Sequence, residues 1–309
     1  MFSSSDEEID QLIEEATPHG APRRVFRPRI NYSMDMDNQQ FRESFRVNKD
    51  VAVFLEERLA MILEHETQRN MALSARQQLF TFLHTLGTSS FYHVMKVSHG
   101  PSNATVCRVM ERVCNAILTL ENEFLGWPAD MMRVIHDFRQ IANFPCVIGV
   151  VDGTHIRVSP PGSEETGYVN RHHFPSLNTL LVCGPDNSFY FCHSRCAGSW
   201  HDSRVMKDST LWHAFEHGET PLPSGVILGD SAYACRSWLI PPFAGDVEGS
   251  KLRFNISHKK TRSLVERSIG LLKCRFYALM YGLRVRDMIH ASNLTLIVLG
   301  WGRLCPQQL

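Results

Sequence analysis

The stretch CVIGVVDGTHIRV, residues 146–158, decides the fold. Its first part, Cys146 to Val151, is an unbroken apolar run of strand length that ends in Asp152. A strand apolar on both faces belongs in the middle of a sheet with helices covering either side. Thr154 to Val158 extends the run past a glycine. Downstream, Thr179–Cys183 and Phe189–His193 read as two more strands, and Gly184-Pro185-Asp186-Asn187 between them is a turn signal, so the pair is a hairpin. Ser203–Phe215 reads as a helix, and Gly225–Gly229 as another apolar strand ending in Asp230. Ser263–Leu279 is a helix with Val265, Ile269, Leu272, Phe276 and Leu279 on its buried side. This order predicts an α/β domain over residues 144–309.

Upstream the period changes to helical, over residues 36–143. Val51, Phe54, Leu55, Leu59, Ile62 and Leu63 recur at three- and four-residue spacings. Ser74 with Gln77 forms a capping box for the next helix, whose core side is Leu79, Phe82, Leu83 and Leu86, and Gly87 is expected to stop it. After a short segment, Phe91–Val97, a further helix follows Gly100-Pro101-Ser102. It turns Val106, Val109 and Val113 inward and leaves Asn103, Arg108, Glu111 and Arg112 on the other face. Three helices with a tight break before the last suit a helix-turn-helix-like domain. A plain bundle packed on the next domain fits the same pattern. Residues 1–35, a serine-acidic start and a Pro/Gly/Arg stretch, read as a disordered tail.

Composition excludes several classes. The 309 residues are 43% hydrophobic and 21% charged, which rules out a fully disordered or fibrous chain. No apolar run approaches the roughly 18 residues of a membrane helix. The start, MFSSSDEEID, lacks the form of a secretory signal, and the nine cysteines show no paired framework. The expectation is a reducing, intracellular setting. The 32 basic and 32 acidic side chains cancel, but residues 251–286 hold ten Lys/Arg against the single acid Glu266. Such a stretch suits either a polyanion partner or a solvated helix face.

Three acids stand out. Asp152 and Asp230 each follow an apolar strand run, and ligands of α/β sheets collect at the carboxyl ends of strands. Each alone is equally explained as a cap of the next turn. Together they would repel unless a cation lay between them, and hard oxygen ligands suit Mg2+ or Mn2+. Glu266 lies in a basic helix with Arg262, Gly270 and Lys273 on its side. It reads as a metal ligand beside phosphate-binding cations, or as half of an Arg262–Glu266 surface ion pair.

Five blocks, taken in order, resemble the PIF/Harbinger superfamily of DDE transposases and above all the domesticated nucleases derived from it. They are VIGVVDGTHIRV, then Tyr168, Asn170, Arg171, Ser176, Leu177 and Asn178 in GYVNRHHFPSLNTLLVC, then AGSWHDSRVMKDSTL, LPSGVILGDSAYACRSWLIPPF and FNISHKKTRSLVERSIGLLKCRFYAL. They cover about residues 145–282, and 35 residues separate Asp230 from Glu266, as in a DD35E arrangement.

The resemblance implies an RNase H-like fold, a mixed sheet flanked by helices, with Asp152, Asp230 and Glu266 as catalytic acids holding two divalent cations, Mg2+ or Mn2+. Two-metal phosphodiester cleavage needs such a set, and no covalent enzyme intermediate. It also implies Asp202 as a further metal ligand with His201 beside it, although Asp202 could equally cap the helix that starts at Ser203. Phosphate contacts are expected from Asn170, Arg171, Arg262 and Lys273. Relatives work with a Myb/SANT-like DNA-binding protein that supplies nuclear import. DNA, that partner, homo-oligomerisation, and a nuclear and cytoplasmic location are therefore expected here, with no membrane association. The function implied is a metal-dependent DNA endonuclease without autonomous transposition. The alternatives are an active transposase and a non-catalytic DNA- or protein-binding module that kept the fold.

Two departures from the family pattern stand out. The family block Asn-Arg-Lys-Gly becomes Asn170-Arg171-His172-His173, one cation and one glycine fewer. After HASNL the chain reads TLIVLGWGRLCPQQL rather than a Leu-His-Asn signature, as an alternative or truncated end would. A zinc reading of Cys192, Cys196 and His201 falls one ligand short of a closed set.

Overall fold

The computed structural model describes residues 36–67 and 71–304, so the expected tail over residues 1–35 lies outside the described residues. At its centre is a five-stranded mixed sheet in the order β3-β2-β1-β4-β5: β1 (Val147–Arg157), β2 (Ser176–Cys183), β3 (Phe189–Ala197), β4 (Val226–Leu228) and β5 (Leu239–Ile240). β1 pairs antiparallel with β2 and parallel with β4. The β2–β3 hairpin is antiparallel and β4–β5 parallel. This mixed α/β arrangement is compatible with an RNase H-like domain. All eight residues of β2 are buried, and so are Val147–Val151 of β1, as strands inside a covered sheet must be.

Among the described residues seven helices precede the sheet: α1 (Asn38–Phe45), α2 (Lys49–Leu63), α3 (Ala75–Thr88), α4 (Tyr92–His99), α5 (Asn103–Leu118), α6 (Glu121–Phe124) and α7 (Met131–Ala142). Ser74 and Gln77 form the expected capping box of α3. Gly87 does not stop that helix, which ends at Ser89 in the left-handed region. Gly87 instead makes room for another side chain, because a Cβ there would lie 2.7 Å from Cγ of Arg46. The segment after it is a regular helix, α4, closed by Gly100 at φ 86°.

Between the strands lie α8 (Glu165–Tyr168), α9 (Asp202–Asp208) and α10 (Thr210–Glu216), and after β5 come α11 (Gly249–Arg275), α12 (Tyr277–Tyr281) and α13 (Met288–Leu304). The single helix expected over 203–215 is two, because Ser209 stops α9 and caps α10 through the Trp212 N–H. α11 begins 14 residues earlier than the apolar pattern indicates. Polar anchors hold its first half: Ser257 donates to the Ala142 carbonyl, His258 Nε2 lies 2.9 Å from the Ile240 carbonyl oxygen, and Asn255 bonds both backbone groups of Phe243.

α7 and α11 pack on β1, and α13 packs on both β3 and α5. One apolar core therefore runs from Phe41 and Phe80 in the leading helices through Val150 and Leu181 to Leu294 and Val298. Burying each such side chain contributes about 1.5–3 kcal/mol before chain entropy is subtracted. Among the described residues no helix is long and apolar enough to cross a membrane. The eight described cysteines are free thiols.

Candidate functional site

The first acid does not sit at a strand end. β1 continues through Asp152 and Gly153 because β2 pairs with it along the whole way, Asp152 opposite Leu181 and Arg157 opposite Ser176. Its parallel neighbour β4 is the strand that stops. Val150 is opposite Leu228, so Asp152 and Asp230 each stand two residues further along adjacent parallel strands. Neighbouring strands run about 4.8 Å apart, which brings the two acids side by side. The third arrives from α11. Arg262 Nη1 lies 3.3 Å from Asp152 Oδ2, while Nη2 of the same guanidinium pairs with Glu266 one turn on. Arg262–Glu266 is thus more than a surface pair: Arg262 is only 19% exposed and joins two of the acids.

The electrostatics agree. Burial pushes the Asp152 carboxyl up to about 6; Arg262 and the Gly153 N–H oppose this, and the charges of Asp230 and Glu266 add to it. Each of the other two acids is therefore close enough to resist the ionisation of the first. Asp230 Oδ1 accepts the Ala232 N–H at 3.0 Å.

A fourth carboxylate closes the group. Asp202 is the first residue of α9, with exposed His201 as the cap position, so it does not cap the helix. Its Oδ1 accepts from Asn178 Nδ2 at 2.8 Å. Gly153 permits this approach, since a Cβ there would lie 2.5 Å from Asp202 Oδ1. Tyr233 points into the same region. Its hydroxyl is buried without a hydrogen-bond partner, and the charges of Asp202, Asp152 and Asp230 help raise its pKa after burial, the largest cause. Asn178 Oδ1 is orphaned beside it.

The DDE superfamily endonuclease model matches residues 151–301, which contain all four of these carboxylates. The mouse protein "Putative nuclease HARBI1" (Mus musculus) is 32% identical over 248 residues, 79% of this chain and 70% of its own length. The chain belongs to the DDE superfamily endonucleases, in their Harbinger-derived group. The human protein of the same name (Homo sapiens) is 29% identical over the same shares, and "Protein ALP1-like" of Arabidopsis thaliana is 25% identical over 66% of this chain and 54% of its own. No solved structure matches.

DDE endonucleases generally use divalent metals, and the residues of this chain fit such ions. Four carboxylates supply hard oxygen donors, and two buried polar atoms with no partner, Tyr233 Oη and Asn178 Oδ1, belong to the residues beside them.

Three of the four side chains expected to contact phosphate are engaged within the protein. Asn170 is buried and organises its own loop: Oδ1 accepts the His172 N–H at 2.8 Å, and Nδ2 donates to Ser176 at 2.9 Å. Lys273 donates to the His155 carbonyl at 2.9 Å, and burial lowers its pKa to about 8. Arg262 is held by the acids. Arg171 is exposed. Nothing lies within 4 Å of where a Cβ at Gly270 would be, so that turn of α11 is open.

Sequence reasoning missed Tyr233, Asn178 as a partner of Asp202, and His155, whose Nδ1 lies 3.0 Å from the Ser176 hydroxyl. All three fall inside the matching blocks.

Proposed function

We propose that this protein is a DNA endonuclease that cleaves phosphodiester bonds with two divalent cations, Mg2+ or Mn2+, and does not transpose autonomously. One observation carries the reading: the Arg262 guanidinium pairs with both Asp152 of β1 and Glu266 of α11, and Asp230, just past the end of β4, is close enough to help raise the pKa of Asp152. Asp152, Asp230 and Glu266 would hold the cations, with Asp202 alongside. Bound there, the cations supply activation of the attacking oxygen and neutralisation of the leaving one. Arg262 limits repulsion among the acids, and Tyr233 offers its hydroxyl to whatever occupies the space beside Asp202. Arg171, which is exposed, would take a DNA phosphate in a sequence-independent, salt-sensitive contact.

The expected partners follow from the family: DNA, a Myb/SANT-like DNA-binding protein, and a second copy of the chain, in nucleus and cytoplasm. Zero net charge with a basic stretch at 251–286 supports a local rather than a global DNA affinity.

The experiment is plasmid nicking with Mg2+ or Mn2+, wild type beside Asp230→Asn. Metal-dependent nicking lost in the variant supports the proposal. Nicking that survives the substitution rejects the site. No cutting by either protein, even with the DNA-binding partner added, favours a binding module that kept the fold.

A further inference from the structure

A second cluster of ligand-type side chains lies away from the four carboxylates, where β3 meets the C-terminal end of α9. His193 Nε2 lies 3.3 Å from Asp208 Oδ2, Cys196 Sγ lies 3.4 Å from the same nitrogen, and Sγ lies 3.7 Å from the same oxygen. Among the described residues this is the one set of three His, Cys, Asp or Glu ligand atoms within 4.8 Å of one another.

The backbone makes this set in an unusual way. Residues three apart on a regular strand point to opposite faces. Here Asn178 pairs with Cys196 and Leu180 with His193, so two steps on β2 face three on β3. That bulge returns Cys196 to the face of His193. Bulges re-aim side chains in this manner. Asp208 completes the set as the last residue of α9. A carboxylate there meets the negative end of the helix dipole, a position that favours a cation. The ion-pair partner it has is His193.

We propose that His193, Cys196 and Asp208 bind a zinc ion. Zinc takes nitrogen at about 2.0–2.1 Å, thiolate sulfur at about 2.3 Å and carboxylate oxygen at about 2.0–2.2 Å in a tetrahedron. Those bonds set ligand separations of about 3.3–3.5 Å for N···O, about 3.5–3.6 Å for N···S and about 3.5–3.7 Å for S···O. The three separations in the structure match within about 0.1 Å, so little rearrangement is needed. The mixed N, S, O set suits Zn2+ and not Mg2+, which requires oxygen. Asp208 is half exposed, so solvent water supplies the fourth ligand. Binding converts the Cys196 thiol to thiolate and releases its proton to solvent.

The ion ties α9 to the edge strand. Asp202 opens that same helix about 9 Å away at 1.5 Å per residue, so the clamp fixes the element that carries the fourth carboxylate. Zinc binding itself does not depend on the nuclease reading. A cysteine nucleophile activated by His193 is the competing use of the trio, and it is opposed by burial: Cys196 is 2% exposed, with no room for a substrate.

The test uses the full chain, stripped with a chelator and titrated with Co2+ and then Zn2+. One equivalent of Co2+ should give the visible absorption of a tetrahedral site with a thiolate charge-transfer band. Zn2+ should displace it and Mg2+ should not. Cys196→Ser should abolish the charge-transfer band. Asp208→Asn, at a half-exposed position that does not threaten folding, should weaken Co2+ affinity by at least about tenfold. Asp230→Asn should leave the band unchanged, which separates this site from the acids. A missing band, or a band that persists in Cys196→Ser, overturns the proposal and leaves a hydrogen-bonded trio only.

Discussion

Arg262 on α11 stands 3.3 Å from Asp152 on β1, and the same guanidinium also holds Glu266. A half-buried carboxylate whose pKa has risen to about 6 is poorly solvated and repelled by its neighbours, and Arg262 offsets part of that cost. A divalent cation and Arg262 compete for the same oxygens. Arg262→Gln should therefore bind Mn2+ about five- to tenfold more tightly, a shift near 1–1.4 kcal/mol. Without added metal it should melt at lower temperature than wild type. Calorimetric titration and thermal denaturation read both effects. Mn2+ affinity that falls in the variant would show that Arg262 assists the cation instead of replacing it.

His99 sets a pH limit on the helical part of the fold. It is 4% exposed, and its Nε2 lies 2.7 Å from Nδ1 of His84. Burial, and then the charge of His84, lower its pKa to about 4 from 6.5. The folded form therefore prefers neutral imidazole. That contribution is complete above pH 6.5 and is lost as pH falls toward 4, because the unfolded chain binds the proton first. Between pH 7.5 and pH 5 the loss through this group should be about 2 kcal/mol. Urea denaturation of wild type and His99→Gln at both pH values measures it. The variant should lose less on acidification, and an equal loss would remove His99 as the cause.

How much of this was legible in the sequence depends on what holds each element. β1, the β2–β3 hairpin and β4 announced themselves because apolar runs bounded by turn residues are driven by burial, which composition records. The first half of α11 did not, because Ser257, His258 and Asn255 fix it through single hydrogen bonds to distant backbone. β5 is two residues long and has no pattern to read. The acids were legible one by one, but their meeting depends on β4 ending where β1 continues, a matter of pairing register. The bulge that joins His193 to Cys196 is likewise a fact of register. The spacing in the sequence pointed instead to Cys192 and His201.

Gly153 is the position where the smallest change should reach the site. A methyl group there would lie 2.5 Å from Asp202 Oδ1 and 2.8 Å from its Cγ, so Asp202 must rotate and release Asn178. Gly153→Ala should fold with a loss of about 1–3 kcal/mol, the usual cost of overpacking. Nicking should fall well beyond what that loss explains. Asp202→Asn provides the check through a double-mutant cycle. If Gly153→Ala acts by displacing Asp202, the two effects on nicking are strongly non-additive. Additive effects would place the damage in β1 itself.

Tyr233 separates stability from function. Its hydroxyl is buried and orphaned, and an unmatched buried hydroxyl costs a fold roughly 1–3 kcal/mol. A group retained at that cost beside Asp202, Asp152 and Asp230 serves the space those acids surround. Tyr233→Phe keeps the ring, which packs against Gly229, and removes only the oxygen. The variant should be at least as stable as wild type in thermal denaturation and should nick plasmid more slowly. Its Mn2+ affinity should also fall, because the hydroxyl can no longer hydrogen-bond what the acids hold. A variant with raised stability and unchanged nicking would reduce Tyr233 to a core ring whose hydroxyl has no role.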